Sequence, residues 1–285
     1  YWGKNLIRDF YAIGVLHIIC DIDQTALNKY KEMYENVKLT TSWDDIIQDN
    51  DVNAVCISLP ADLHYKFAKQ ALENGKDVYV EKPITLDENE AEELIRLAEQ
   101  HNKILMVGHL LHYHTHVEKI KEIVKSGRIG KIKNIISNRL NLGKFRTAEN
   151  VLWSFAPHDI SVILSLCNDK LPTRVKCMGK DVITKTIHDI TNTFLYFDDL
   201  DIYVNINVNW LNPYKEQKMI IIGETGMLVF DDTKKDDKLV IFNEYLKWDN
   251  GFLPTPIQGT GKTVPVDFEF PLLRECRHFA ECCLN

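Results

Sequence analysis

The spacing of apolar positions changes along the chain, and the change divides it. In the first half, Val15–Cys20, Ala54–Ser58, Asp77–Val80 and Ile104–Val107 are short runs rich in β-branched and aromatic residues. They predict buried strands, and Lys38–Thr40 adds a shorter candidate. Between these runs the apolar residues recur at helical spacing. Leu6, Ile7, Phe10 and Tyr11 stripe a helix over 1–11, with Gly14 just past its end. Further stripes are Ala26, Leu27, Tyr30 and Met33; Leu63, Phe67, Ala68, Ala71 and Leu72, stopped at Asn74-Gly75; and Ala91, Leu94, Ile95 and Ala98 behind Asp87 as N-cap. Ser42 with Asp45 predicts a capping box for one short helix more. Strand and helix alternating over short connections predict a doubly wound parallel α/β sheet of Rossmann type in residues 1–108.

The second half has a different rhythm. Val117, Ile120, Ile123 and Val124 stripe a helix ending at Gly127, and 131–142 reads as a long strand. Pro157 suits a first helical turn, so a helix is expected to start near His158 and to carry Ile160, Ile163, Leu164 and Leu166. Strands then dominate at 174–178, 187–197, 202–209, 219–222 and 227–230, with Glu224-Thr225-Gly226 as a hairpin turn. Residues 109–285 are therefore expected to form an α+β domain on a large open, mostly antiparallel sheet. A last helix begins near Leu272 and stops abruptly, as a truncated C-terminus would. At the other end, the first helix lacks the strand that should precede it. The expectation is an N-terminal extension of roughly ten residues carrying Gly-x-Gly. Without that strand the sheet would hold a groove and two unpaired edges.

Composition narrows the class. The 285 residues are 45% hydrophobic and 26% charged, with a net charge of -7. That balance suits a globular protein, and without a basic block nucleic acid is not an expected partner. No apolar run is long enough for a membrane span. The seven cysteines form no Cys-x-x-Cys pair, and Cys20, Cys56 and Cys167 sit in apolar runs as small core residues. A reducing, cytoplasmic setting follows.

Candidate chemistry gathers at strand ends. Asp77–Val80 leads into Glu81-Lys82-Pro83, and the carboxyl end of a parallel strand is where such sheets bind ligands. Trp2-Gly3 opens the first helix, where a glycine lets a pyrophosphate approach backbone N–H groups. Asp21 lies 18 positions after Gly3, close to the spacing of an acid that binds a ribose diol. Its carboxylate would repel a 2′-phosphate, and Ile22, Asp23 and Gln24 supply no cation, which favours NAD over NADP. Ser58, Pro60 and His64 follow the next strand and are candidates for the same cofactor edge. His109 is the one member of the His109, His112, His114 and His116 run expected to reach a ligand; the run spans a strand end and a helix start, and no metal is expected there. Arg139 and Asn141 share a strand face by their spacing and could hold hydroxyls or a phosphate. At the expected helix start, the dipole would favour neutral His158, a base able to take a hydroxyl proton, with Trp153 nearby.

Together these stretches resemble the Gfo/Idh/MocA family of NAD(P)-dependent sugar oxidoreductases. The resemblance rests on Glu81-Lys82-Pro83, the Tyr-Trp-Gly helix start, the Ala68–Gly75 helix end, Val107-Gly108-His109, the Ser126–Gly130 turn and Ala156-Pro157-His158-Asp159. Arg139–Gly143 and the segment around Trp153 look most like members working on nucleotide-linked sugars, such as UDP-N-acetylglucosamine-type dehydrogenases. The resemblance implies that Lys82 contacts the reacting hydroxyl and the nicotinamide ribose, Glu81 positions that ribose, and His158 is the acid/base. It also implies a cis Lys82–Pro83 peptide and a homodimer or homotetramer built on the second domain's sheet. Lys82 and His158 are expected to form two parts of one site. The sequence departs from the family where an aspartate usually stands four residues before the histidine. Ser154 is there, and it supplies no negative charge. Three readings follow: an NAD-dependent dehydrogenase of a nucleotide-linked sugar, the same chemistry on a free sugar or inositol, and a non-catalytic NAD-binding protein.

Overall fold

The computed structural model describes residues 2–143, 145–146, 149–247 and 253–285. The chain forms two compact units, 1–113 with 270–285, and 114–269. This differs from the division expected at 108/109. The segment 109–113 and the C-terminal helix cluster with the first unit, because that helix has an apolar face which the first unit covers.

The first unit alternates as its sequence predicts: α1 (Gly3–Ala12), β1 (Ile18–Cys20), α2 (Gln24–Asn28), β2 (Lys38–Thr40), α3 (Trp43–Ile47), β3 (Ala54–Ile57), α4 (Ala61–Glu73), β4 (Asp77–Glu81), α5 (Glu88–His101) and β5 (Leu105–Gly108). All the strand pairings in this unit are parallel. They form two sheets, β1-β2 and β3-β4-β5, so β1 and β3 each have one unpaired edge among the described residues. Helix ends follow local chemistry. Asp87 caps α5 by accepting from the N–H groups of Asn89 and Glu90, and Gly14 takes φ +77 just past α1. The expected Ser42–Asp45 capping box is not formed. Ser42 makes no side-chain cap bond, and Asp45 instead accepts from the Thr40 hydroxyl.

The core of this unit lies on both faces of β4. Val55, Ile57, Val78, Val80, Ala68, Leu72 and Leu94 pack on one side, and Leu6, Phe10, Tyr79, Cys276 and Phe279 on the other. Cys167 is buried as expected, whereas Cys56 is exposed, since alternation along β3 buries Val55 and Ile57 and turns Cys56 the other way. None of the seven cysteines is in a disulfide.

The second unit contains α6 (Thr115–Lys125), β6 (Ile132–Leu140), α7 (Val151–Leu166), β7 (Arg174–Lys180), β8 (Ile190–Phe197), β9 (Ile202–Asn209), β10 (Glu216–Gly223), β11 (Met227–Asp231), β12 (Leu239–Phe242), β13 (Tyr245–Lys247), β14 (Thr255–Ile257) and β15 (Lys262–Thr263). The chain closes with α8 (Pro271–Leu284) in the first unit. Eight strands form one sheet in the order β15-β12-β11-β10-β6-β9-β8-β7, antiparallel except for β6 with β9. Residues alternate between buried and half-buried along β8 and β9, and α7 covers the buried face. Glu224-Thr225-Gly226 joins β10 to β11 as expected. Among the described residues no helix is long and apolar enough to cross a membrane.

Gly223 sits at a register shift between β10 and β6, against the Ile129 backbone. A Cβ there would overlap the Ile129 carbonyl oxygen. We expect Gly223→Ala to cost about 1–3 kcal/mol, because the opposing group is backbone and cannot step aside. Urea unfolding would read this as a lower midpoint at unchanged slope.

Candidate active site

In the first unit the candidate residues sit at the carboxyl ends of parallel strands: Asp21 after β1, Ser58 after β3, Glu81 as the last residue of β4 with Lys82 after it, and His109 after β5. β4 is paired on both edges, to β3 and to β5. Buried Asp77 anchors its start by accepting from Ile104 N–H at 2.8 Å. Lys76 is also buried, and its ammonium donates to the carbonyls of Asp49 and Val52 at 2.8 and 2.7 Å. Fixed this way, β4 delivers Glu81 to a defined place.

Trp2 Nε1–H donates to Glu81 Oε1 at 2.6 Å, which ties the start of α1 to the end of β4. The Tyr79 hydroxyl donates more weakly to the same oxygen at 3.4 Å. Burial pushes the Glu81 carboxyl up, against the pull of the Trp2 donor and of Lys82. Gly108 faces this cluster, where an added Cβ would lie 2.5 Å from the Tyr79 oxygen and 3.2 Å from the Glu81 carboxyl carbon. His109 follows directly. Burial, with His112 and Lys82 close by, brings its imidazole down to about 4, so it is neutral at pH 7. Its Nδ1 is buried without a hydrogen-bond partner. The Lys82–Pro83 peptide is cis, as the resemblance implies.

The same region fits a dinucleotide. Gly3 opens α1, and an added Cβ would lie 2.7 Å from Ser58 Oγ, so helix start and strand end approach as closely as glycine permits. No acid stands in the first turn of α1 to compete for its free N–H groups. Asp21 is exposed; one carboxylate oxygen accepts from Asp23 N–H at 2.9 Å, and the other is not engaged in that turn. Pro60 is exposed too. His64 needs correction as a cofactor contact. Only 1% of it is accessible, and its Nδ1 and Nε2 face the carbonyls of Pro83 at 2.7 Å and Leu59 at 2.9 Å. A ring enclosed between two backbone loops braces them; a neutral imidazole can donate to only one of the two at a time.

In the second unit α7 starts earlier than expected. Asn150 caps it by accepting from Trp153 N–H, and Pro157 and His158 lie inside the helix. His158 is therefore beyond the first turn, the part of a helix where the dipole acts on a side chain. Pro157 misled the reading: packing of Val151, Ala156, Val162 and Ile163 holds a proline that an isolated helix would reject. The earlier start puts Ser154 and His158 one turn apart on one helix face. Trp153 is 44% exposed and available to a ligand. Asn141 follows β6, and its N–H donates to the Asn209 carbonyl.

Arg139 is the other correction. Its Nε and Nη2 donate to the two oxygens of Asp159 at 2.6 and 3.0 Å. Burial opposes the guanidinium charge, and Asp159 more than offsets it, raising the pKa. Two of its five N–H groups are thereby committed to a brace between β6 and α7. Only the acid beside His158 hinted at this in the sequence. Tyr79 and Glu275 were also missed, being hidden in an apolar run and a terminal helix.

Within the histidine run, the His109 and His112 rings lie edge to face with centroids 6.2 Å apart, and the His114 and His116 rings lie 5.2 Å apart. His114 lies 3.4 Å from Asp232, and His116 stacks on Phe230. Elsewhere His17, Asp49 and Asp51 bring ligand atoms within 4.8 Å of one another, but Lys38 already bonds Asp49 at 2.8 Å.

Comparison with known proteins agrees with this architecture. Residues 4–109 match the description "Oxidoreductase family, NAD-binding Rossmann fold", and residues 117–229 match "GFO/IDH/MocA C-terminal domain". The chain belongs to the Gfo/Idh/MocA oxidoreductase family. An uncharacterised oxidoreductase of Schizosaccharomyces pombe is 33% identical over 131 residues, covering 46% of this chain and 35% of the relative. The chain thus spans well under two thirds of the length of curated relatives it matches. Among solved structures, an oxidoreductase of unassigned activity from Magnetospirillum magnetotacticum superposes with a TM-score of 0.84 at 26% identity, covering 100% of this chain and 89% of that one. UDP-N-acetylglucosamine 3-dehydrogenase from Acidithiobacillus ferrooxidans gives a TM-score of 0.84 at 20% identity, covering 100% and 86%, a likeness of fold.

The Arg139–Asp159 pair generates a prediction. Asp159→Ala leaves a buried guanidinium uncompensated and should cost about 3–5 kcal/mol in equilibrium unfolding. A loss below about 1 kcal/mol would mean that water reaches Arg139.

Proposed function

We propose that this Gfo/Idh/MocA oxidoreductase transfers hydride between a secondary alcohol of a nucleotide-linked sugar and a nicotinamide dinucleotide, NAD in preference to NADP. The observation that carries the reading is Glu81-Lys82-Pro83 at the carboxyl end of β4, with Glu81 joined to the first residues of α1. Gly3, Ser58, Trp2 and Asp21 are the residues that would hold the dinucleotide. Bound there, the nicotinamide would accept or return the hydride. Exposed Asp21 favours a ribose diol and repels a 2′-phosphate. In this reading the Lys82 ammonium stabilises negative charge developing on the substrate oxygen, Glu81 accepts from the ribose, and His158 takes the hydroxyl proton in oxidation and returns it in reduction. His109, kept neutral, can donate to or accept from a sugar hydroxyl without adding charge beside Lys82. The nucleotide-linked substrate is supported by the resemblance of the Asn141–Gly143 and Trp153 stretches and by the fold shared with the sugar-nucleotide dehydrogenase.

Titration with NAD and NADP, followed by absorbance at the reduced-nicotinamide band over UDP-linked and free sugars, tests this directly. The expectation is tighter NAD binding and reduction with a UDP-linked sugar. Turnover of the free sugar alone would move the assignment to a free-sugar dehydrogenase, and binding without reduction of any sugar would favour a non-catalytic protein. His158→Ala should lose roughly 10²–10⁴ in turnover while NAD binding is retained. Undiminished turnover in that variant would remove His158 from the proton-transfer step.

A further inference from the structure

Glu275 has no place in the reading above, yet it is fully buried. Neither of its carboxylate oxygens has a hydrogen-bond partner, an unusual state for a charged group. It lies on α8, which packs against α1 and against the turn at Leu110–Tyr113. Its face of α8 belongs to the apolar cluster that includes Tyr79, Leu272, Cys276 and Phe279. The groups that act on it most strongly are Glu81 and Tyr79 of β4. The other titratable groups near it are Cys56 of β3, Cys276 of α8 and Tyr113; Arg8 and Asp9 of α1 pair with each other and act on Cys276, and Arg274 donates to the Tyr113 carbonyl. Two carboxyls with one hydroxyl near both, in an apolar setting, cannot easily both be ionised.

We propose that Glu275 is a positioning residue: as the neutral acid it donates a hydrogen bond to the Tyr79 oxygen, Tyr79 donates to Glu81, and Glu81 is thereby fixed as the single carboxylate of the pair. The direction is set by counting donors. The Tyr79 hydroxyl has one proton and lies 3.4 Å from Glu81 Oε1 and close to Glu275, so it can serve only one of the two carboxyls, and the proposed arrangement gives it to Glu81. Its oxygen is then left as an acceptor, and a protonated Glu275 is the neighbouring group able to fill it. Trp2 Nε1–H gives the same Glu81 oxygen a second, closer donor, which leaves the other carboxylate oxygen for a ligand. Gly108 keeps the space that this arrangement needs. Burial and the Glu81 charge push the Glu275 carboxyl up to about 8, consistent with a neutral acid at neutral pH. A raised carboxyl pKa means that the folded protein binds a proton which the unfolded chain releases. Stability from this group is therefore full below the ordinary glutamate range and declines as pH rises toward about 8.

The inference rests on the cofactor reading only for what Glu81 does, so the test has two arms. The first follows the unfolding midpoint of the cofactor-free protein from about pH 5 to about pH 9. The wild-type midpoint should fall across this range, and Glu275→Gln, whose amide can still donate to Tyr79, should remove much of that fall. The second arm measures NAD affinity by tryptophan quenching near neutral pH. Glu275→Gln should bind within about twofold of wild type, whereas Glu275→Leu, folded but without a donor, should bind about tenfold or more weakly. Identical pH dependence in wild type and Glu275→Gln would overturn the neutral acid. Affinity lost in Glu275→Gln but kept in Glu275→Leu would overturn the positioning role. Failure of the wild-type protein to bind NAD would overturn the cofactor reading instead, with the unfolding arm still deciding the state of Glu275.

Discussion

β4 is paired on both edges and buried along Asp77–Val80, so its polar chemistry can emerge only at its end. Much of the first unit can be traced to that constraint. α4 and α5 lie over one face of the strand, α1 and α8 over the other. Lys76 and Asp77 are spent on backbone groups at the start. At the far end Glu81 meets Trp2, and His64 braces the loops that carry Leu59 and Pro83. Lys82 follows directly on a residue that accepts from two donors, so its place at the end of the strand is defined.

The second unit relies on polar groups inside its packed layers. Arg139 and Asp159 join β6 to α7, and buried Asp189 accepts from the Trp210 indole and from the N–H groups of Val182 and Ile183. Burial opposes the Asp189 charge, and those donors outweigh it, so its pKa is lowered. Such groups are costly when half satisfied and orienting when fully satisfied. The Arg139–Asp159 pair ties α7, which carries Trp153 and His158, to β6.

Most of the architecture was legible in the sequence because period and punctuation agreed. Buried parallel strands gave continuous apolar runs, helices gave stripes, and Asn74-Gly75 and Asp87 marked real helix ends. The errors came where packing overruled local preference. Pro157 suggested a helix start, but Asn150 is the cap and the core carries the proline. The last helix read as part of the second domain because order along the chain does not say which core an apolar face will join. In the candidate site, Glu81, Lys82 and Gly3 were visible through their position at element ends. His64 and Arg139 were recognised as notable residues, but a sequence cannot show that a ring nitrogen or a guanidinium already has a partner inside the fold. Tyr79 and Glu275 gave no signal, one inside an apolar strand and the other in an amphipathic helix.

The claim that matters most is that Lys82, delivered by β4, acts on the oxygen of the alcohol whose hydride is transferred. Stopped-flow absorbance at the reduced-nicotinamide band tests it, with saturating NAD and a UDP-linked sugar, in the wild-type protein and in Lys82→Met. The account predicts rapid reduction by the wild type and a fall of at least about 10²-fold in the variant, with NAD still bound. Reduction at the same rate in both proteins would contradict it.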